Sequence, residues 1–228
     1  MSVVKRVVVV LLLAAFSSNA AAAPADCGRL NVTLPTQDAD KIFGKWVLVW
    51  SASSMGPILV GNMLSSDTEF TLRPDNSTYM FIQRIMFQGP SCTKYSINVS
   101  VQSGSDHHVE PTTTEAHSSG TTFVLTYGTV IIEREGELSQ FNDSAKLYFL
   151  ETCPDCLIMV YRGLLGHQLL IYRREGLHQD VEQLTAAHDH HRKLAECLGI
   201  AHSHPFIYDG SADFCRDRSS PEVPGEQS

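Results

Sequence analysis

Eight short β-favouring runs follow one another from Lys45 to about Arg174, at 45–53, 68–73, 78–87, 93–102, 121–134, 145–152, 156–162 and 167–173. Turn-forming stretches separate them: "RPDNS", "QGPS", "QSGSD", "REGE" and "CPDC". Strands this short and this regularly spaced leave two architectures, a β-sandwich or an up-and-down barrel. The first run narrows the choice. In "FGKWVLVWSAS", Val47, Leu48, Val49 and Trp50 are apolar in succession, so this strand needs apolar company on both faces rather than one. One face can meet a core or a helix, and the other can line an apolar interior.

After the last run the period changes. "HQDVEQLTAAHDHHRKLAECLG" places Val181, Leu184, His191, Leu194 and Leu198 at helical spacing, with Gly199 as the C-terminal stop. One amphipathic helix over 178–199, packed on the outside of a sheet, is the expectation. The Ser-, Thr- and His-rich stretch 103–120 reads as an exposed loop, and 219–228 as a disordered tail.

The N-terminus reads as a secretory signal. Lys5 and Arg6 precede "VVVVLLLAAF" and the small residues "SSNAAAA", which places cleavage near Ala22 or Ala23. The expected organisation is a signal peptide over 1–23 and one domain over 24–218. Loss of Lys5 and Arg6 takes the formal charge of the 228-residue chain from −8 to −10. An acidic chain without Lys/Arg clusters is unsuited to nucleic acid or to anionic membranes, and no later segment is long and apolar enough to insert in a bilayer.

All six cysteines follow the signal, an even set that forms three disulfides in an oxidising compartment by any of fifteen pairings. Sequons at Asn31, Asn76, Asn98 and Asn142 mark glycosylation candidates.

The two ends of the domain carry a family likeness. "DADKIFGKWVLVWSAS" resembles the opening of lipocalins of the alpha-1-acid glycoprotein (orosomucoid) type. "VEQLTAAHDHHRKLAECLGI", followed by "DFC", resembles their last helix and C-terminal segment. The "WVLVWS" run is most similar to the fish branch that includes saxitoxin- and tetrodotoxin-binding proteins. The resemblance implies an all-β fold: an eight-stranded antiparallel up-and-down barrel with one C-terminal helix outside. It pairs Cys27 with Cys197 and Cys92 with Cys215. Cys153 and Cys156 are additional to that pattern, and a local bridge across their turn is expected. The resemblance also makes Gly44, Trp46 and Arg174 (or Arg173) a structural plug at the closed end of the barrel.

Counting by strand parity from Trp46 and from the aligned cysteines gives an inward, ligand-binding set: Leu48, Trp50, Met80, Ile82, Arg84, Tyr127, Phe149, Ile158, Val160, Leu170 and Tyr172. Arg84 and Tyr172 are the polar members expected to orient a ligand, and no acid falls in the set. The expected function is that of a secreted, monomeric glycoprotein carrier that buries a small lipophilic molecule reversibly. An acute-phase or immune-modulating glycoprotein acting through its surface and glycans is the alternative from another class. A binder of saxitoxin- or tetrodotoxin-like alkaloids is a narrower version of the carrier, and it would need an acidic cavity residue. No cofactor is implied. Metal binding is not expected, since one turn either side of the His188/His191 face stand Leu184 and Ala195. Neither is catalysis, since no nucleophile–base constellation stands out. "CPDC" lacks the following helix that a thioredoxin-like motif needs, because "LIMVY" comes next.

Overall fold

The computed structural model describes residues 27–56, 61–74, 78–89, 91–102, 123–210 and 214–215. The signal segment, the sequon at Asn76, the 103–120 loop and the tail lie outside the described residues. A short helix α1 (Cys27–Leu30) and a 3-10 helix (Thr36–Ile42) lead into strands β1 (Gly44–Ser53), β2 (Met63–Leu72), β3 (Thr78–Phe87), β4 (Ser91–Val101), β5 (Val124–Arg134), β6 (Glu137–Leu150), β7 (Cys156–Gly163) and β8 (Gly166–Arg174). Helices α2 (Val181–Ala186) and α3 (His188–Cys197) and a two-residue strand β9 (Phe206–Ile207) complete the chain.

Each strand pairs antiparallel with the next, and β1 pairs with both β2 and β8. The sheet therefore closes into an eight-stranded up-and-down barrel with no free edge among these strands. β9 adds to β1 from outside through Trp50 and Ser51.

Two strands are longer than their sequence signal. β2 begins at Met63 rather than 68, and β6 begins at Glu137 rather than 145. The first half of β6, "ELSQFNDS", is exposed on most of its residues, so it lacks the apolar run that marks a strand. Its order comes from pairing with β5 across a two-residue turn, in which Glu135 and Gly136 take φ of 53° and 85°, as a tight hairpin requires.

The C-terminal helix is two helices rather than one, divided at Ala187. Asp180 caps α2 by accepting a hydrogen bond from the Gln183 amide at 3.0 Å. Gly199, at φ 65°, ends α3: its amide donates to Glu196 O and that of Ile200 to Ala195 O, the Schellman pattern. α3 lies against the outside of β1, where Leu194 and Ala195 are wholly buried and His191 meets Trp50 with ring centroids 5.6 Å apart.

The disulfides are Cys27–Cys197, Cys92–Cys215 and Cys153–Cys156. The first ties α1 to the end of α3. The third spans the β6–β7 turn.

At one end of the barrel Trp46 is wholly buried. Its indole N–H donates to Ile42 O at 2.8 Å, and the Arg174 guanidinium lies 4.2 Å from the ring centroid. Arg174 also donates to Phe43 O at 3.4 Å. A Cβ at Gly44, whose φ is 112°, would stand 2.9 Å from Arg174 Nη1. The glycine thus admits both the backbone turn and the guanidinium. Arg173 points elsewhere, to Gln183 and to the β6–β7 turn. Replacing Arg174 with Ala removes a cation–π contact, and a loss of about 1 kcal/mol in unfolding free energy is expected by urea denaturation.

Candidate functional site

Within the barrel is a cavity of about 240 Å³. Alternation along each strand decides what faces it. An aromatic cluster adjoins it through Phe81: Phe70 stacks on Phe81 at 4.6 Å and meets Phe149 edge-on at 5.7 Å, while Phe123 lies 5.5 Å from Phe149. Phe81 reaches the cavity, and Leu48, Ile97, Val130, Leu147, Met159 and Leu170 form much of the remaining wall.

Of the expected inward set, Leu48, Tyr127 and Leu170 line this cavity. Phe149 is wholly buried in the adjoining aromatic cluster and does not line the cavity. Tyr172 shares the parity of Leu170 and is fully buried, but it does not reach the cavity. Its hydroxyl has no hydrogen-bond partner among the described residues, and burial first, then the charge of Asp67, raises the phenol well above its ordinary range.

The other six face away, for two reasons. Trp50 is displaced by a β-bulge: the β1–β8 register shifts between Leu48 and Trp50, so that Leu48 and Ser51 line the cavity while Trp50 lies under α3. Met80, Ile82 and Arg84 on β3, and Ile158 and Val160 on β7, have the opposite parity to the cavity-lining Phe81, Gln83, Ile85, Met159 and Tyr161. Counting from the cysteines across unseen turns put both strands out of step by one residue, which turns every side chain over. Arg84 accordingly pairs on the outer face, at 2.9 Å with Asp67 and 3.9 Å with Glu69.

The cavity also has polar members that parity counting missed. Asp143 is 3% exposed and lines the wall. Its carboxylate accepts hydrogen bonds from Tyr161 Oη at 2.7 Å, Tyr127 Oη at 3.3 Å and the Leu164 amide at 2.9 Å. Burial, reinforced by the Asp143 charge, pushes both phenols far above their ordinary range, so both remain donors at any neutral pH. Three donors occupy three of roughly four acceptor positions on a carboxylate. No cationic side chain among the described residues lies within ion-pair distance of it. Ser51, 2% exposed, lines the cavity with a hydroxyl that has no partner among the described residues. The signal for Asp143 was present in the sequence: Phe141, Asp143, Ala145, Leu147 and Phe149 alternate across "FNDSAKLYF".

Gly163 makes room for this cluster. A Cβ there would stand 2.5 Å from Tyr161 Oη and 2.6 Å from Ala145 Cβ. Gly163→Ala is therefore expected to displace Tyr161 from Asp143 and to cost roughly 1–3 kcal/mol, as overpacking does. Thermal unfolding checks the second effect, and the ultraviolet difference spectrum of the tyrosines checks the first.

No family model matches the chain. It is 40% identical over 205 residues to saxitoxin and tetrodotoxin-binding protein 1 of Takifugu pardalis, covering 90% of this chain and 48% of that protein. To the saxitoxin and tetrodotoxin-binding protein 2 of the same organism it is 40% identical over 223 residues, 97% of this chain and 52% of that one. These are homologues, and the chain spans about half their length. Among solved structures, it is similar to lipocalin 12 from rat epididymis at a TM-score of 0.48 and 13% identity, over 79% of this chain and 90% of that one.

Proposed function

We propose that this homologue of the saxitoxin and tetrodotoxin-binding proteins is a monomeric, secreted glycoprotein carrier that holds one small lipophilic molecule in its barrel. The observation that carries the reading is the walled cavity itself, lined mainly by aliphatic and aromatic side chains. Binding is reversible burial: apolar ligand surface leaves water at roughly 25 cal/mol per Å², against side chains already ordered by the sheet. Three disulfides fit an extracellular carrier. Asn98 and Asn142 are exposed, and Asn31 is partly so, which leaves each accessible for glycan attachment. No helix among the described residues is long and apolar enough to cross a membrane.

Asp143 favours a narrower form of the same reading. The toxin-alkaloid version needed an acid in the cavity, and Asp143 is a buried carboxylate on its wall without a cationic neighbour among the described residues. A cationic amphiphile seated there forms a charge-assisted hydrogen bond to the remaining acceptor position, and Ser51 offers a second polar contact. Charge-assisted bonds contribute about 1.5–3 kcal/mol, or roughly tenfold to a hundredfold in affinity.

Isothermal titration of the glycan-trimmed protein tests both levels with two ligands on one skeleton, 2-naphthylmethanol and 2-naphthylmethylammonium. Saturable one-to-one binding of the alcohol, lost in Val130→Phe, is the expected result for the carrier. Failure of both ligands to bind overturns it. An amine preference of about tenfold, removed by Asp143→Asn without loss of the alcohol, is expected for the cationic form. Equal affinity for the two ligands sinks that form alone.

A further inference from the structure

The β6–β7 turn carries chemistry that the cavity does not use. Cys153 and Cys156 close it with a sequence separation of 3, against 170 and 123 for the other two disulfides. A bridge across so short a loop constrains the unfolded chain least. Cys153 is exposed and Cys156, the sulfur open to attack, is partly exposed, whereas Cys215 of the second bridge is buried. The Arg173 guanidinium donates from Nη1 to Cys153 Sγ at 3.4 Å, and it is held there by a second bond from Nη2 to Gln183 Oε1 at 2.9 Å. A fixed cation beside one sulfur of an exposed, short-loop disulfide stabilises that sulfur as a thiolate.

The turn does not depend on the bridge for its shape. The Cys156 amide donates to Cys153 O at 3.0 Å, and the Arg174 amide donates to Asp155 O at 3.0 Å. The Asp155 carboxylate also lies 3.5 Å from Arg174 Nε. With the S–S bond open, these contacts hold both sulfurs in place to re-form it.

From this geometry we infer that Cys153–Cys156 is a thiol-exchange site, opened reversibly by small-molecule thiols of the glutathione class while the other two bridges stay closed. An incoming thiolate attacks Cys156 Sγ and forms a mixed disulfide there. The Cys153–Cys156 bond breaks, and its electron pair leaves on Cys153 Sγ beside Arg173. A second thiol resolves the mixed disulfide, so that two thiols are oxidised to one disulfide and the two cysteines take up their two protons. The better-stabilised leaving thiolate directs the attack to Cys156. The site is not an oxidoreductase of the thioredoxin kind, since β7 and not a helix begins at Cys156.

The test uses the full mature protein without denaturant, equilibrated in graded glutathione, quenched with iodoacetamide and mapped by peptide mass spectrometry. Cys153 and Cys156 are expected to be alkylated at a reductant concentration at least tenfold below that needed for the other four, and Cys153 severalfold faster than Cys156. Arg173→Gln is expected to remove the rate difference and to raise the reductant requirement severalfold, while Arg173→Lys restores much of both. Opening of all three bridges together overturns the inference, as does an Arg173→Gln protein that behaves like the parent. The wild-type order of reduction alone decides the first point, whatever the variants' stability.

Discussion

Trp50→Ala is expected to lower the unfolding free energy by about 3–5 kcal/mol, the usual cost of truncating a buried aromatic side chain, and to leave the affinity of a neutral cavity ligand within about twofold. The two halves of this result come from one structural fact. Trp50 is wholly buried, yet it is buried between β1 and α3 and not inside the barrel. Its ring meets His191 at 5.6 Å, and its backbone pairs with Ile207 of β9. Truncation therefore opens a void in the seam that fastens the helix to the barrel. Leu48 and Ser51, which do line the cavity, keep their places because the bulge is held by pairing on both sides. Urea denaturation gives the first quantity, and calorimetric titration with 2-naphthylmethanol, corrected for the folded fraction, gives the second. A variant that loses the ligand while keeping its stability would put the indole back inside the barrel.

That bulge shows why the fold was easier to read than the site. The eight strands announce themselves by local composition, whereas the closing of the sheet, which strand number and spacing leave open between sandwich and barrel, rests on the family resemblance. The plug at one end of the barrel was implied by the same resemblance, and Gly44, Trp46 and Arg174 do stand together where β1 and β8 pair. Side-chain direction is less forgiving, because it depends on an unbroken count. The irregularity between Leu48 and Trp50 reverses β1 halfway along, and another between Tyr127 and Thr129 lets both Tyr127 and Val130 face the cavity. Neither leaves a mark in composition. Asp143 was missed for a different reason. Its neighbourhood "QFNDS" is polar and contains a sequon, which reads as a loop, while β6 is a strand there because β5 lies beside it. Tertiary pairing overrode local preference. Nor does the sequence mark the division of the C-terminal helix at Ala187, since "TAAHD" contains no helix breaker.

Acid should weaken the same seam through His191. This histidine is 8% exposed, its Nδ1 has no partner among the described residues, and its pKa is lowered from 6.5 to about 4. Burial is the main cause; the neighbouring His190 and His188 on α3 and Arg173 on β8 add repulsion of the same sign. Trp50 faces it from β1 with an indole N–H that has no partner among the described residues and is a donor only. No acid is among the groups that shift it. In the unfolded chain this imidazole takes up a proton near pH 6.5, whereas in the folded protein it resists until about 4. The unfolded state therefore binds more protons between those values, and stability present above 6.5 is lost as pH falls through that window. The gap corresponds to roughly 3 kcal/mol. His178, whose pKa is also lowered, chiefly by burial, acts in the same direction. Carboxylates titrate over part of this range, so the informative quantity is the difference between wild type and His191→Leu, measured by urea denaturation at pH 7.5 and at pH 4. The difference is expected to shift in favour of the variant by up to about 3 kcal/mol on acidification. A difference that stays constant with pH would mean that the imidazole is already paired or already charged in the folded protein. The contact between α3 and β1 would then owe its stability to packing alone.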